Sequence, residues 1–269
     1  MPDVWSVVSE LDDTTQDRLA KVLETRAADP QQLAMRRAFL ADIPVPPNAQ
    51  VLEVGCGTGA LTRLLAHLPR VAQVAGVDPA PSLLRRAEEL SAGFDTISFQ
   101  RADGRSLPFE TDSFSIVVFD STLCHMPEPE RALVEAFRVL RPEGVLAIFD
   151  GDYATTTVAL GDHDPLQTCV DMMMASSVHD RKLVRRLPSL VRDAGFEQLS
   201  MCSHGYVESS SPGYMLTVID RGAEMLAAAG TIGTSTAEAL KTEARRRDSE
   251  GLFFGHIAYG SLIARKPGP

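Results

Sequence analysis

Long apolar runs, paired cysteines and a phosphate-binding lysine loop are all missing from this chain. No stretch of about 18 or more apolar residues occurs, so no membrane-spanning helix and no membrane partner are expected. The four cysteines, at 56, 124, 169 and 202, form no CxxC pair and keep no zinc-ligand spacing with histidine. No metal is therefore expected, and the thiols read as reduced, in a cytoplasmic protein. Met1-Pro-Asp-Val-Trp5 has neither the basic start nor the apolar core of a secretory signal. Cations are outnumbered, 26 Lys and Arg against 36 Asp and Glu. The resulting formal net charge of −10 opposes nucleic acid and anionic lipid as partners. The two basic clusters, Arg245-Arg-Arg247 and Arg181-Lys182 with Arg185-Arg186, read as solvated helix faces, the first having acids on both sides. A GxxxxGK loop that would wrap nucleotide phosphates is absent.

What is present is enough for one sizeable core with a cap: 269 residues, 44% of them hydrophobic. Residues 10–41 read as helix, with Pro30 marking a second start and Pro44, Pro46 and Pro47 a break. From residue 51 strands and helices alternate. Strands are expected at Val51–Val54, Val71–Val77, Thr96–Arg101, Phe114–Phe119, Val145–Phe149, Glu197–Ser203 and Phe254–Ala264. Helices are expected at Ala60–Leu68, Pro81–Ser91, Pro129–Leu140 and Asp180–Ala194. The first five strands are apolar on both faces, as buried parallel strands are, with helices as their crossovers. Residues 152–178 and 205–252 interrupt the rhythm near the strand ends and are placed to roof a pocket. The expected organisation is a helical extension or lid over 1–47, a core over 48–204 with an insertion at 152–178, a helical cap at 205–252, and a last strand and tail at 253–269. The cap is where a homodimer contact would form, but no residue pattern fixes the oligomer.

Val51-Leu-Glu-Val-Gly-Cys-Gly-Thr-Gly59 is the most informative stretch: strand, glycine turn, helix. The dinucleotide fingerprint GxGxxA fits Gly55, Gly57 and Ala60, and Asp78 stands about 20 residues on, where a ribose-binding acid would. On these residues alone an NAD-dependent oxidoreductase stays open. Three features point elsewhere: Glu53 inside the first strand, Gly59 as a third glycine, and Asp103 after the third strand. With Val77-Asp-Pro79, Ala102-Asp-Gly104, Asp112–Phe119, Leu123-Cys-His-Met126 and Arg138-Val-Leu-Arg-Pro-Glu-Gly144, the stretch resembles the class I S-adenosylmethionine-dependent methyltransferases. It is closest in look to the ubiquinone/menaquinone-biosynthesis-like small-molecule methyltransferases. The resemblance covers residues 51 to about 150 and continues more loosely through the last strands; Pro142-Glu143-Gly144 departs from a common Pro-Gly-Gly in a turn. It implies an α/β, Rossmann-like three-layer sandwich: a mostly parallel seven-stranded sheet with an antiparallel edge strand and helical cap insertions.

The implied cofactor is S-adenosyl-L-methionine. The turn of Gly55, Cys56, Gly57 and Gly59 lets backbone approach it closely. Asp78, followed by Pro79, is suited to accept from the ribose hydroxyls. By resemblance Asp103 receives the adenine amino group, with Gly104 and Arg105 beside it. Glu53 steadies the loop or contacts the amino acid end. Asp120 closes over the cofactor or orients His125. Arg36 and Arg37 precede the first strand, and Arg37 is the candidate for the cofactor carboxylate, a surface arginine being the alternative. Trp5 reads as an anchor for the N-terminus.

A sulfonium-bound methyl is already activated, so alignment and desolvation dominate the chemistry. The acceptor is expected to be a small, moderately apolar molecule, aromatic or not, methylated at C, O or N. His125 is the best single candidate on its side, as a proton acceptor or as a contact within its loop. No second residue stands out to hold it as a base. Asp150 and Asp152, ending the fifth strand, are further catalytic candidates. Tyr153, Tyr206, Tyr214, Phe254 and Met172-Met-Met174 could line the pocket. A non-catalytic S-adenosylmethionine-binding protein is the other alternative.

Overall fold

The computed structural model describes residues 3–209 and 213–268. Two helices come first, α1 (Asp13–Ala28) and α2 (Pro30–Ala41). Their starts are written in the sequence. The Asp12 side chain accepts from the Thr15 N–H, and Asp29 accepts from the N–H groups of Gln31 and Gln32, with Pro30 in the first turn. Then follow β1 (Ala49–Val54), α3 (Ala60–Ala66), β2 (Val71–Asp78), α4 (Pro81–Leu90), β3 (Ile97–Arg101), β4 (Phe114–Asp120), α5 (Pro129–Val139), β5 (Leu140–Thr157), α6 (Pro165–Ser177), α7 (Leu183–Asp193), β6 (Glu197–Glu208), α8 (Tyr214–Ala228), α9 (Thr234–Ser249) and β7 (Gly255–Arg265).

The seven strands form one sheet in the order β3-β2-β1-β4-β5-β7-β6. Neighbours from β3 through β5 are parallel, whereas β7 runs antiparallel to both β5 and β6. The fold is thus the Rossmann-like one expected, with the antiparallel strand lying one in from the edge. Burial explains that placement: Tyr259–Ala264 is continuously buried, while β6 is mostly exposed and polar until its last residues. Two strands outrun their expected lengths. β5 continues to Thr157 and β6 to Glu208, crossing the expected 204/205 boundary. Glu208 ends β6 by accepting from the Tyr214 and Met215 N–H groups at the start of α8.

Strand order reverses between β1 and β4, and a crevice opens beyond their carboxyl ends. Residues 1–47, expected as one extension, divide in their packing. On α2, Met35, Phe39 and Leu40 join the main core, with Phe39 5.5 Å from the Phe149 ring. Leu19 and Ala20 of α1 instead join Val8, Ala80 and Leu83 in a small separate cluster over the crevice. The basic run 245–247, expected as a solvated helix end, is ion-paired. Arg245 binds Asp220, Arg246 binds Glu243 and Glu250, and the buried Arg247 binds Asp164 at 2.6 Å. The pairs of Arg245 and Arg247 clamp α9 onto α8 and the start of α6, while those of Arg246 run along α9.

The α6–α8 contact depends on Gly222, where an added Cβ would lie 1.9 Å from the Cys169 carbonyl oxygen. Backbone cannot yield as a side chain would. Gly222→Ala should therefore destabilise by about 1–3 kcal/mol, lowering Tm by about 2–6 °C. A thermal melt that is unchanged or raised would show that α8 does not seat on α6 in this way.

Candidate active site

Three alternating glycines make the turn after β1. Gly55, Gly57 and Gly59 have φ of 75°, 52° and 73°, a region that costs other residues about 1–2 kcal/mol each. Space forbids a side chain at Gly55 as well, since a Cβ there would sit 2.3 Å from Thr122 Cγ2. The loop is tied to β2 twice. The N–H groups of Gly55 and Cys56 donate to the Val77 carbonyl at 2.8 and 3.0 Å. Asp78 accepts from the Gly57 and Ala80 N–H groups, one on each oxygen, both at 2.9 Å. Burial pushes the Asp78 carboxyl up to about 6, against the pull of those two N–H donors. Each of its oxygens retains acceptor capacity toward a guest.

Glu53 lies deeper and accepts the Thr62 hydroxyl. Burial raises its carboxyl to about 8; the Thr62 bond and Arg36 oppose the rise, and the Asp120 and Asp78 charges add to it. Asp103 is exposed and forked by Arg105, with Nη2–Oδ2 at 2.7 Å and Nε–Oδ1 at 3.0 Å. That fork holds its carboxyl below the usual range. At Gly104 a Cβ would press on Val54 Cγ1 at 2.6 Å, so only glycine lets this turn close on β1. These groups, with Pro79, Ala60 and Asp120, line a cleft of about 260 Å³.

A second cavity of about 480 Å³ lies between the N-terminal segment and the cap. Its apolar lining includes Leu19, Val22, Met173, Met174 and Met225, with Tyr153 and Tyr214 beside them. Trp5, Arg26 and His125 face both spaces and form the wall between them. His125 belongs to a short 3-10 turn, Leu123–His125, after β4. Its Nδ1 meets Asp3 Oδ2 at 2.6 Å. Asp3 is buried and also accepts the N–H groups of Trp5 and His179, each at 2.9 Å.

The structure gathers Glu53, Gly55, Cys56, Gly57, Asp78, Pro79, Asp103, Gly104, Arg105, Asp120 and His125 around the first cleft. Gly59 stands just behind, starting α3. Arg37 is exposed and outside the cleft. One residue earlier on the same helix, Arg36 faces inward and binds Asp120, Nε to Oδ2 at 2.5 Å. Asp150 and Asp152 line neither cavity. Asp150 is fully buried and accepts the Cys124 and Gly151 N–H groups, so it holds the turn that carries His125. Asp152 is paired with Arg185 at 2.7 Å, joining β5 to α7. Tyr206 and Phe254 also fall outside both cavities. Trp5, read as an anchor, is part of the dividing wall. Asp3 and Arg26 carried no sequence signal, because what singles them out are contacts across more than a hundred residues. Among the described residues no group of three or more His, Cys, Asp or Glu is arranged to hold a metal, and no helix is long and apolar enough to cross a membrane.

Residues 52–148 match a family model described as a methyltransferase domain. The chain is 32% identical over 164 residues to the methyltransferase GfsG of Streptomyces halstedii, covering 59% of this chain and 56% of that protein. To the demethylmenaquinone methyltransferase of Staphylococcus aureus it is 29% identical over 143 residues, covering 53% and 58%. The chain spans about half the length of the curated relatives it matches. Among solved structures, the [4+2]-cyclase SpnF has a similar fold, with a TM-score of 0.62 at 20% identity, over 100% of this chain and 98% of that one.

The raised Glu53 carboxyl has a measurable consequence. Folded protein keeps this proton up to about pH 8, whereas the unfolded chain releases it near 4.5. The folded state therefore binds more protons in that window, and stability falls as pH rises through it. Glu53→Gln removes the titration and keeps an acceptor for Thr62. Without ligand, the variant should gain Tm relative to the parent at pH 8.5 and show no such gain at pH 5. Parallel Tm curves for the two proteins from pH 5 to 8.5 would contradict the burial assigned to Glu53.

Proposed function

We propose that this chain, whose residues 52–148 match a methyltransferase-domain family model, transfers a methyl group from S-adenosylmethionine to a small, moderately apolar acceptor at carbon, oxygen or nitrogen. The observation that carries the reading is the pair of cavities meeting at one wall of Trp5, Arg26 and His125. The first, with its glycine turn and carboxylates, suits the cofactor; the second, apolar and aromatic, suits the acceptor. A relative named for demethylmenaquinone accords with an apolar acceptor of this kind.

In this reading Asp78 accepts from the ribose hydroxyls while Gly57 and Ala80 hold it in place. Asp103, fixed by Arg105, accepts from the adenine amino group. Glu53, Asp120 and Arg36 surround the amino acid end, with Arg36 the cation nearest the cofactor carboxylate. When bound, S-adenosylmethionine supplies an activated methyl, taken by the acceptor's electron pair as the carbon–sulfur bond breaks toward sulfur. The chain aligns the two partners and excludes water. An acceptor that must also lose a proton meets His125 at Nε2, and Asp3 on Nδ1 fixes the ring and stabilises the charge it gains.

Calorimetry with S-adenosylmethionine, followed by a screen of phenols, enols and amines for transfer of a labelled methyl, tests the assignment. Binding of NADH with none of S-adenosylmethionine would replace it with an oxidoreductase. Cofactor binding without methyl turnover across the screen would leave a binding protein, or another chemistry on the fold, as the cyclase illustrates. With an acceptor in hand, His125→Asn should lower kcat by roughly 10²–10⁴-fold while S-adenosylhomocysteine affinity stays within about twofold. Asp3→Asn should lower kcat in the same direction by less. Near-normal turnover in folded His125→Asn protein would remove the proton-accepting role.

A further inference from the structure

Arg26 differs from the other arginines around the first cleft. Arg36 is bound to Asp120 and Arg105 to Asp103. Among the described residues no carboxylate oxygen lies within 4.0 Å of Arg26. Its neighbours are phenols instead. Nη2 donates to Tyr259 Oη at 3.3 Å, and the guanidinium carbon lies 6.0 Å from the centre of the Tyr214 ring. A guanidinium offers five N–H donors, and here one is spent within the protein. A half-buried cation in a tyrosine-rich wall, with donors in hand and no counter-ion, is incomplete.

The surroundings of the second cavity have the same sign. Arg18 and Arg221 stand on its rim, exposed, and among the described residues neither has a carboxylate within 4.0 Å. Among the described residues the one carboxylate on that rim, Glu224, is bound to Lys241 at 2.9 Å. In a chain of net charge −10, this cavity gathers unneutralised cations over an apolar and aromatic floor.

We infer that Arg26 is the counter-ion for a carboxylate on the acceptor, so that the second cavity selects small unsaturated or aromatic acids over their neutral counterparts. Arg26 also faces the first cleft, but the Tyr214 ring it lies against belongs to the second cavity. Tyr214 and the neighbouring Tyr153 line only the second cavity, while Arg36 faces only the first. An acid held there by a forked pair of N–H groups has its reactive atom beside the wall that separates it from the methyl donor. Arg26 acts as a specificity-determining residue, orienting the acceptor through charge-assisted bonds. The inference rests on the reading of the second cavity as the acceptor site.

The test uses 1-hydroxy-2-naphthoate and its methyl ester as fluorescent probes of like shape that differ in one charge, with and without saturating S-adenosylhomocysteine. The parent protein should bind the acid at least about tenfold more tightly than the ester. In Arg26→Gln that ratio should collapse to below about twofold, and in Arg26→Lys it should lie between, while S-adenosylhomocysteine affinity stays within about twofold in all three. Equal binding of acid and ester by the parent protein would overturn the inference, as would an unchanged ratio in Arg26→Gln. Loss of S-adenosylhomocysteine affinity with the acid-to-ester ratio intact would assign Arg26 to the cofactor carboxylate instead. A parent protein that binds no S-adenosylhomocysteine yet prefers the acid would sink the methyltransferase reading and leave the acid site standing.

Discussion

One buried carboxylate holds the site together. Asp3 collects N–H donors from three parts of the chain: its own turn at Trp5, the imidazole of His125 after β4, and the backbone of His179 between α6 and α7. A carboxylate taken out of water needs such partners, and an apolar side chain in its place would leave buried donors unpaired. The N-terminal segment, the sheet edge and the cap therefore meet at a point that tolerates little variation. Trp5 and His125, both fixed there, are two of the three residues dividing the cavities. Asp150 secures the same turn from below through the Cys124 N–H. His125 is thus held at the ring by one acid and through its backbone turn by another.

Much of this was legible in the sequence, and what was not has a common cause. The apolar strands, the proline-led helices and the glycine turn are local signals, and apart from the overrun of β5 and β6 each of these elements appears within a few residues of its expected limits. Gly55, Gly57 and Gly59 could be read because positive φ is a demand of the backbone at each position, independent of distant partners. Asp78 and Asp103 were legible from their places at strand ends. Arg36 and Arg37 could not be separated by pattern alone. The helix turns each residue by about 100°, and only contact with Asp120 shows which one faces in. Asp150 and Asp152, expected among the catalytic residues, line neither cavity, because a carboxylate at the end of a sheet strand has two uses. It can face a ligand, or it can satisfy nearby N–H groups and arginines, and here both do the latter. Asp3 and Arg26 were invisible because their significance is tertiary: neither stands in a motif, and each gains its role from partners more than a hundred positions away.

The two cavities differ in their charged groups. Glu53, Asp78, Asp103 and Asp120 line the first, with Arg36 and Arg105 paired to two of them and Arg26 shared with the second. Burial keeps Glu53 protonated near neutrality and brings Asp78 close to titrating there. A cationic guest entering that cleft would favour their ionised forms, so the charge that makes these carboxyls costly in the free protein becomes complementary in the filled one. Across the wall, Arg18 and Arg221 add unpaired cations above methionine and tyrosine, with Arg26 in the wall itself. On the proposed reading, a positively charged methyl donor and a negatively charged acceptor are drawn to opposite faces of the same three side chains. Transfer to an ionised acceptor atom discharges the sulfonium, while the acceptor's carboxylate keeps its charge and stays on Arg26; a dry, low-dielectric wall favours that discharge more strongly than water would. Selection of the acceptor and alignment of its reacting atom then have one origin, the Arg26 guanidinium held in the wall beside Trp5 and His125.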